Sequence, residues 1–124
     1  MRKALLKTCF PVVCLALLGC VEDQKVSVTA INEDLNTLSA ALKFYRLDCG
    51  GYPSSEAGLA TLLTPEGDSC STRLDAYLSS LPKDPWGNRY FYRKLDADDF
   101  ELSSLGEDGR KGGKGAAADI RLSK

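Results

Sequence analysis

The chain contains no histidine among its 124 residues. That absence excludes histidine-based general acid–base catalysis, Ser-His-Asp triads and histidine-ligated metal centres. A long apolar run is also lacking. The apolar stretch at residues 9–18 is too short for a bilayer span, which needs ~20 residues. There is no internal repeat and no linker that would mark a second domain, so one domain with a modest core is expected. Excess positive charge is missing as well: 16 basic residues stand against 17 acidic ones, for a formal net charge of −1. An acidic balance argues against nucleic acid as a main partner.

What the sequence does contain begins at its N-terminus. Arg2, Lys3 and Lys7 precede the short apolar stretch, which ends in Leu17-Leu18-Gly19-Cys20. This order reads as a lipoprotein signal over residues 1–19, with Cys20 as the lipid-bearing residue. Leu18 is bulkier than the small residue usual at that position. The alternative is an ordinary secretory signal cut nearby, leaving Cys20 a plain thiol. Acyl chains on Cys20 give a firm anchor, because each buried methylene contributes ~0.8 kcal/mol. Val21, rather than an aspartate, follows Cys20, which favours the outer membrane in a two-membrane envelope. Loss of residues 1–19 removes three of the 16 basic residues and no acidic one, leaving 13 against 17, net −4, on a 105-residue remainder.

Five cysteines are present. Cys9 and Cys14 leave with the signal and Cys20 takes lipid, so Cys49 and Cys70 remain as an even pair outside the cytosol. A Cys49–Cys70 disulfide closes a loop of about 20 residues and contributes ~3 kcal/mol in the chain-entropy model. Two separate thiols are the alternative.

Residues 20–25 read as a polar tether and residues 26–124 as the globular domain. Val28, Ile31, Leu35, Leu38, Leu42 and Tyr45 recur at spacings of three and four, which predicts one amphipathic helix over residues 26–47. Gly50-Gly51 stops it and Pro53 prevents restart. Ser54 opens a short second helix at residues 57–63, and residues 73–79 form another helical turn. The two prolines of Leu81-Pro82-Lys83-Asp84-Pro85-Trp86-Gly87 make a rigid connector, in which the Asp84 side chain caps the turn. Strands are expected at 89–94, 100–104 and 119–122, separated by a turn at 96–99 and a glycine-rich loop at 106–118. The fold class is α+β, one N-terminal helix on a small three-stranded antiparallel sheet. Gly113-Lys114 is no phosphate-binding loop, since Asp108 and Gly115 stand where that motif needs glycine and a hydroxyl residue.

Several segments together resemble the major pseudopilin family of type II secretion systems. They are residues 47–53, Glu56-Ala57-Gly58-Leu59, Leu81 to Asn88 followed by Tyr90 and Tyr92, Ser104-Leu105-Gly106-Glu107-Asp108-Gly109, Gly112-Gly113 and Ala118-Asp119-Ile120. The resemblance covers residues 31–120, in the family's order. It implies a pilin-like globular head and a non-enzymatic, structural role with pseudopilins and other secretion components as partners. It also implies one structural calcium ion in the C-terminal loop, held by the Leu105 carbonyl and the Asp108 and Asp119 carboxylates. Family members begin with a prepilin leader and a long apolar helix; here a lipobox stands in that place. The segment before Asp119 is Gly115-Ala116-Ala117-Ala118, without the extra acids relatives carry, and Arg110, Lys111 and Lys114 add positive charge. Binding is therefore expected to be weak, ~10⁻⁴–10⁻³ M, or absent, the alternative being a metal-free flexible loop. The alternative function is a free-standing periplasmic or surface lipoprotein that uses the fold as a binding module.

Overall fold

The computed structural model describes residues 9–64 and 75–122, with side chains from residue 27 onward. Helix α1 runs without a break over Cys9–Cys49. The backbone is thus already helical through residues 20–25, where the sequence suggests a tether. Its C-terminus falls where the double glycine requires, and the Gly50 N–H bonds the Arg46 carbonyl at 2.8 Å. Among the described residues no helix is long and apolar enough to cross a membrane.

Three antiparallel strands follow: β1 (Phe91–Lys94), β2 (Phe100–Ser104) and β3 (Ile120–Arg121), in sheet order β1-β2-β3. In the β1–β2 register Arg93 faces Glu101, and their side chains pair at 2.8 Å. The register places Phe91 opposite Ser103 at one end of the sheet and Lys94 opposite Phe100 at the other. The second segment is a 3₁₀ helix, Gly58–Leu62, shorter than the helix expected there; Ser54 Oγ accepts the Ala57 N–H at 3.1 Å. Residues 75–79 form bends, not the expected helical turn. Their backbone is drawn elsewhere, because the Tyr77 and Leu78 N–H groups both bond the Leu62 carbonyl, at 2.9 and 3.1 Å.

The core lies between α1 and the sheet. Ile31, Leu35, Leu38, Leu42 and Tyr45 supply the helix side; Tyr52, Leu62, Tyr90, Tyr92, Phe100 and Leu102 face them. The stripe read from the sequence is therefore the buried face, except at its start. Val28 remains 43% exposed, lining an open groove with Trp86, Ala116 and Ile120. Two tyrosines cross the core with their hydroxyls satisfied. Tyr90 Oη donates to Asp34 Oδ2 and Tyr92 Oη to the Pro53 carbonyl, each at 2.7 Å.

Burial raises both phenols, Tyr92 to about 12 and Tyr90 further, with the Asp34 carboxylate adding to the effect at Tyr90. A phenol whose folded pKa exceeds its unfolded value of ~10 contributes stability fully present below pH ~10. That stability is lost as pH rises through the folded value. Unfolding free energy is expected to fall by roughly 2 kcal/mol or more between pH 10 and 12, and Tyr92→Phe to flatten the slope. Urea titrations across that pH range check this.

Candidate functional site

The C-terminal loop, residues 105–119, and the turn at 84–88 form one hydrogen-bonded unit. Its centre is Asp84, a carboxylate buried to 4% exposure. Pro85 fixes the chain after it, so that Asp84 Oδ1 accepts the Asn88 N–H at 2.7 Å and the Trp86 N–H at 3.2 Å. This is the side-chain cap expected from the sequence. The second oxygen reaches across the fold. Ser104 Oγ, at the end of β2, donates to Asp84 Oδ2 at 3.0 Å and accepts the Gly106 N–H at 3.2 Å. Asn88 Nδ2 donates to the Gly106 carbonyl at 3.1 Å. Both backbone groups of Gly106 are thus tied, directly or through Ser104, to the 84–88 turn.

The loop then folds back on itself. The Glu107 N–H bonds the Ala116 carbonyl at 2.9 Å, and Gly115–Ala117 forms a 3₁₀ turn. Gly106 and Gly113, at φ +79° and +92°, approach the returning strand so closely that only glycine fits. A Cβ at Gly113 meets the Ala117 oxygen at 2.4 Å, and one at Gly106 meets the Ala117 and Ala118 oxygens at 2.8 Å. The carbonyls of Ala117 and Ala118 therefore crowd against Gly106, at the base of the loop.

The expected calcium ligands lie at the two ends of this curl. Leu105 is half-buried after β2, Asp108 is exposed, and Asp119 is half-buried before β3. Asp108 Oδ1 accepts the Arg110 N–H at 3.0 Å, and both oxygens of Asp119 lie 3.1 Å from the Gly112 N–H. Among the described residues no group of three or more acidic, cysteine or histidine side chains gathers to hold a metal ion. Asp108 and Asp119 are thus each engaged with a different backbone N–H of the loop, whereas strong calcium sites assemble six to eight oxygens.

The other expected site residues fare differently. Cys49 is the last residue of α1 and packs against the core. Cys70 lies outside the described residues, and Cys20 falls within the backbone of α1 with its side chain outside them. Trp86 is half-buried against the core. Tyr90 and Tyr92 are core residues, and Lys111 Nζ sits 4.1 Å from the centre of the neighbouring Phe91 ring. The link from Asp84 to Ser104 was not visible in the sequence. On the outer face of α1, Phe44 and Leu47 are 56% and 80% exposed.

An N-terminal helix laid on a small antiparallel sheet, closed by a glycine-rich loop, is the head of a pilin-like protein. Residues 18–123 match the family described as type II secretion system (T2SS), protein G, and the chain belongs to that family, whose members are structural components and not enzymes. It is 41% identical over 100 residues to the type II secretion system core protein G of Pseudomonas aeruginosa, covering 77% of this chain and 70% of that one. It is 40% identical over 101 residues to the corresponding Vibrio cholerae protein, covering 79% of this chain and 66% of that one. The chain thus spans about two thirds of the length of these relatives. Among solved structures, the major pseudopilin from the type 2 secretion system of enterohaemorrhagic Escherichia coli superposes with a TM-score of 0.69 at 31% identity, covering 82% of this chain and 90% of that one.

Proposed function

We propose that the chain is a lipid-anchored pseudopilin head, held in the cell envelope by acyl chains on Cys20, facing the periplasm from the outer membrane. It docks non-covalently with pseudopilins or other secretion-system components. The observation that carries this reading is the correspondence of its fold to 90% of a pseudopilin structure. Phe44 and Leu47, three residues apart on the outer face of α1 and both exposed, supply apolar contact area for such docking. Pull-down from detergent-solubilised membranes with the acylated protein tests the reading. Pseudopilins or their assembly platform are expected in the eluate, with recovery reduced for Phe44→Glu/Leu47→Glu. Their clean absence favours the free-standing lipoprotein that binds another ligand.

Two supports of the head are part of the same proposal. One is the Cys49–Cys70 disulfide, favoured because these two cysteines are the even pair left outside the cytosol once Cys9 and Cys14 leave with the signal and Cys20 takes lipid. Non-reducing peptide mapping checks it: linked peptides carrying Cys49 and Cys70 support the pairing, and alkylation of both thiols opposes it. The other is a weak calcium ion at the Leu105 carbonyl, Asp108 and Asp119. A bound ion supplies positive charge that holds the two carboxylates and the curled backbone together. At ten times its dissociation constant such binding stabilises by ~1.4 kcal/mol, which is a melting-temperature rise of about 5–10 °C for a domain of this size. Thermal melts in millimolar Ca²⁺ and in EDTA measure it, and a melting temperature indifferent to both removes the ion.

A further inference from the structure

We propose that the basic loop carrying Arg110, Lys111 and Lys114 is a docking surface for anionic lipid headgroups of the membrane that holds the protein, an inference that rests on the anchor at Cys20. Two placements support it. First, the loop lies at the anchor end of the head. Glu107, Gly115 and Ala116 line one groove of about 510 Å³ with Ser27, Val28, Trp86 and Ile120. Helix α1 is continuous through this region, so Cys20 lies only seven residues, about 10 Å along the axis, ahead of Ser27. Screening in physiological salt sets in over about 8 Å, a comparable distance.

Second, the three cations are exposed, and two of the three neighbouring carboxylates, Asp108 and Asp119, are engaged by backbone N–H groups, Glu107 being the exposed third. Arg110, Lys111 and Lys114 are all exposed. Asp108 and Asp119 accept the Arg110 and Gly112 N–H groups. Lys111 is held against the Phe91 ring, and neither Arg110 nor Lys114 forms a salt bridge within the described residues.

Trp86 is the only tryptophan and lines the anchor-end groove, so it reports the distance to the bilayer. The acylated full chain is reconstituted in EDTA into phosphatidylcholine vesicles, with and without phosphatidylglycerol, containing a headgroup-labelled dansyl lipid. Energy transfer from Trp86 is expected to rise with phosphatidylglycerol and to fall back in high salt. Each cation removed is expected to lower the docked-to-free ratio about fivefold, so the rise is largely lost in Arg110→Gln/Lys111→Gln/Lys114→Gln. The double variant Arg110→Gln/Lys114→Gln leaves Lys111 on its ring and serves if the triple variant is unstable. Transfer that ignores phosphatidylglycerol, or that is unchanged in both variants, overturns the docking surface and leaves the anchor intact. A chain that leaves vesicles of every composition overturns anchor and docking together.

Discussion

Replacing Asp84 with alanine is expected to cost about 3 kcal/mol or more and to lower the melting temperature by well over ~10 °C. The carboxylate accepts from Trp86 N–H, Asn88 N–H and Ser104 Oγ, and all three lose their acceptor at once. A hydrogen bond to a charged group contributes ~1.5–3 kcal/mol, and a buried donor left without a partner costs its full desolvation. The Ser104 hydroxyl is fully buried, so water does not readily replace the lost oxygen. Asp84→Asn keeps one acceptor oxygen and is expected to fall between wild type and Asp84→Ala. The second consequence is local. Ser104 orients Gly106, so amide exchange at residues 106–109 should accelerate in Asp84→Ala beyond what the global destabilisation explains. Circular-dichroism melts and hydrogen exchange measure both; a loss below ~1 kcal/mol contradicts the role assigned to Asp84.

Gly106→Ala is expected to be nearly as damaging, by roughly 2–4 kcal/mol, for a different reason. At φ +79° an L-residue carries a conformational cost of ~1–2 kcal/mol. The added Cβ also meets three backbone atoms, Ala117 C at 2.6 Å and the Ala117 and Ala118 oxygens at 2.8 Å. No side-chain rotation relieves such contacts, so the loop must move. Gly58→Ala provides the comparison: its φ is +61° and nothing lies within 4 Å of the added Cβ, leaving only the conformational part. The difference between the two variants in denaturant unfolding isolates the close approach. Equal costs for both contradict it.

These two sites show which features the sequence made legible. The buried stripe of α1 was readable because helical periodicity is local: residues three and four apart share a face whatever lies opposite. The strands and the hairpin turn at 96–99 were readable for the same reason, from β-formers bounded by turn residues. The capping role of Asp84 within its own turn was readable too, since its partners stand two and four residues on. Its bond to Ser104 spans 20 residues and exists only because the sheet carries the end of β2 back to that turn. The same limit hid the bond from Tyr90 to Asp34, 56 residues away. Val28 belonged to the stripe by spacing, but its exposure depends on how closely distant chain packs opposite it, leaving a groove with Trp86 and Ile120, which periodicity does not encode. The helical turn expected near residue 75 failed because the Leu62 carbonyl captured the N–H groups of Tyr77 and Leu78. At the loop, the glycines were visible as a pattern, whereas the contacts that make Gly106 and Gly113 obligatory arise from chain returning at Ala117.

The pseudopilin head hung on a lipid is tested most directly by the intact mass of the protein extracted from membranes. The account predicts a polypeptide beginning at Cys20 and heavier than its sequence by a diacylglyceryl group and one further acyl chain. A polypeptide that retains residues 1–19, or one whose Cys20 carries no acyl group, contradicts it.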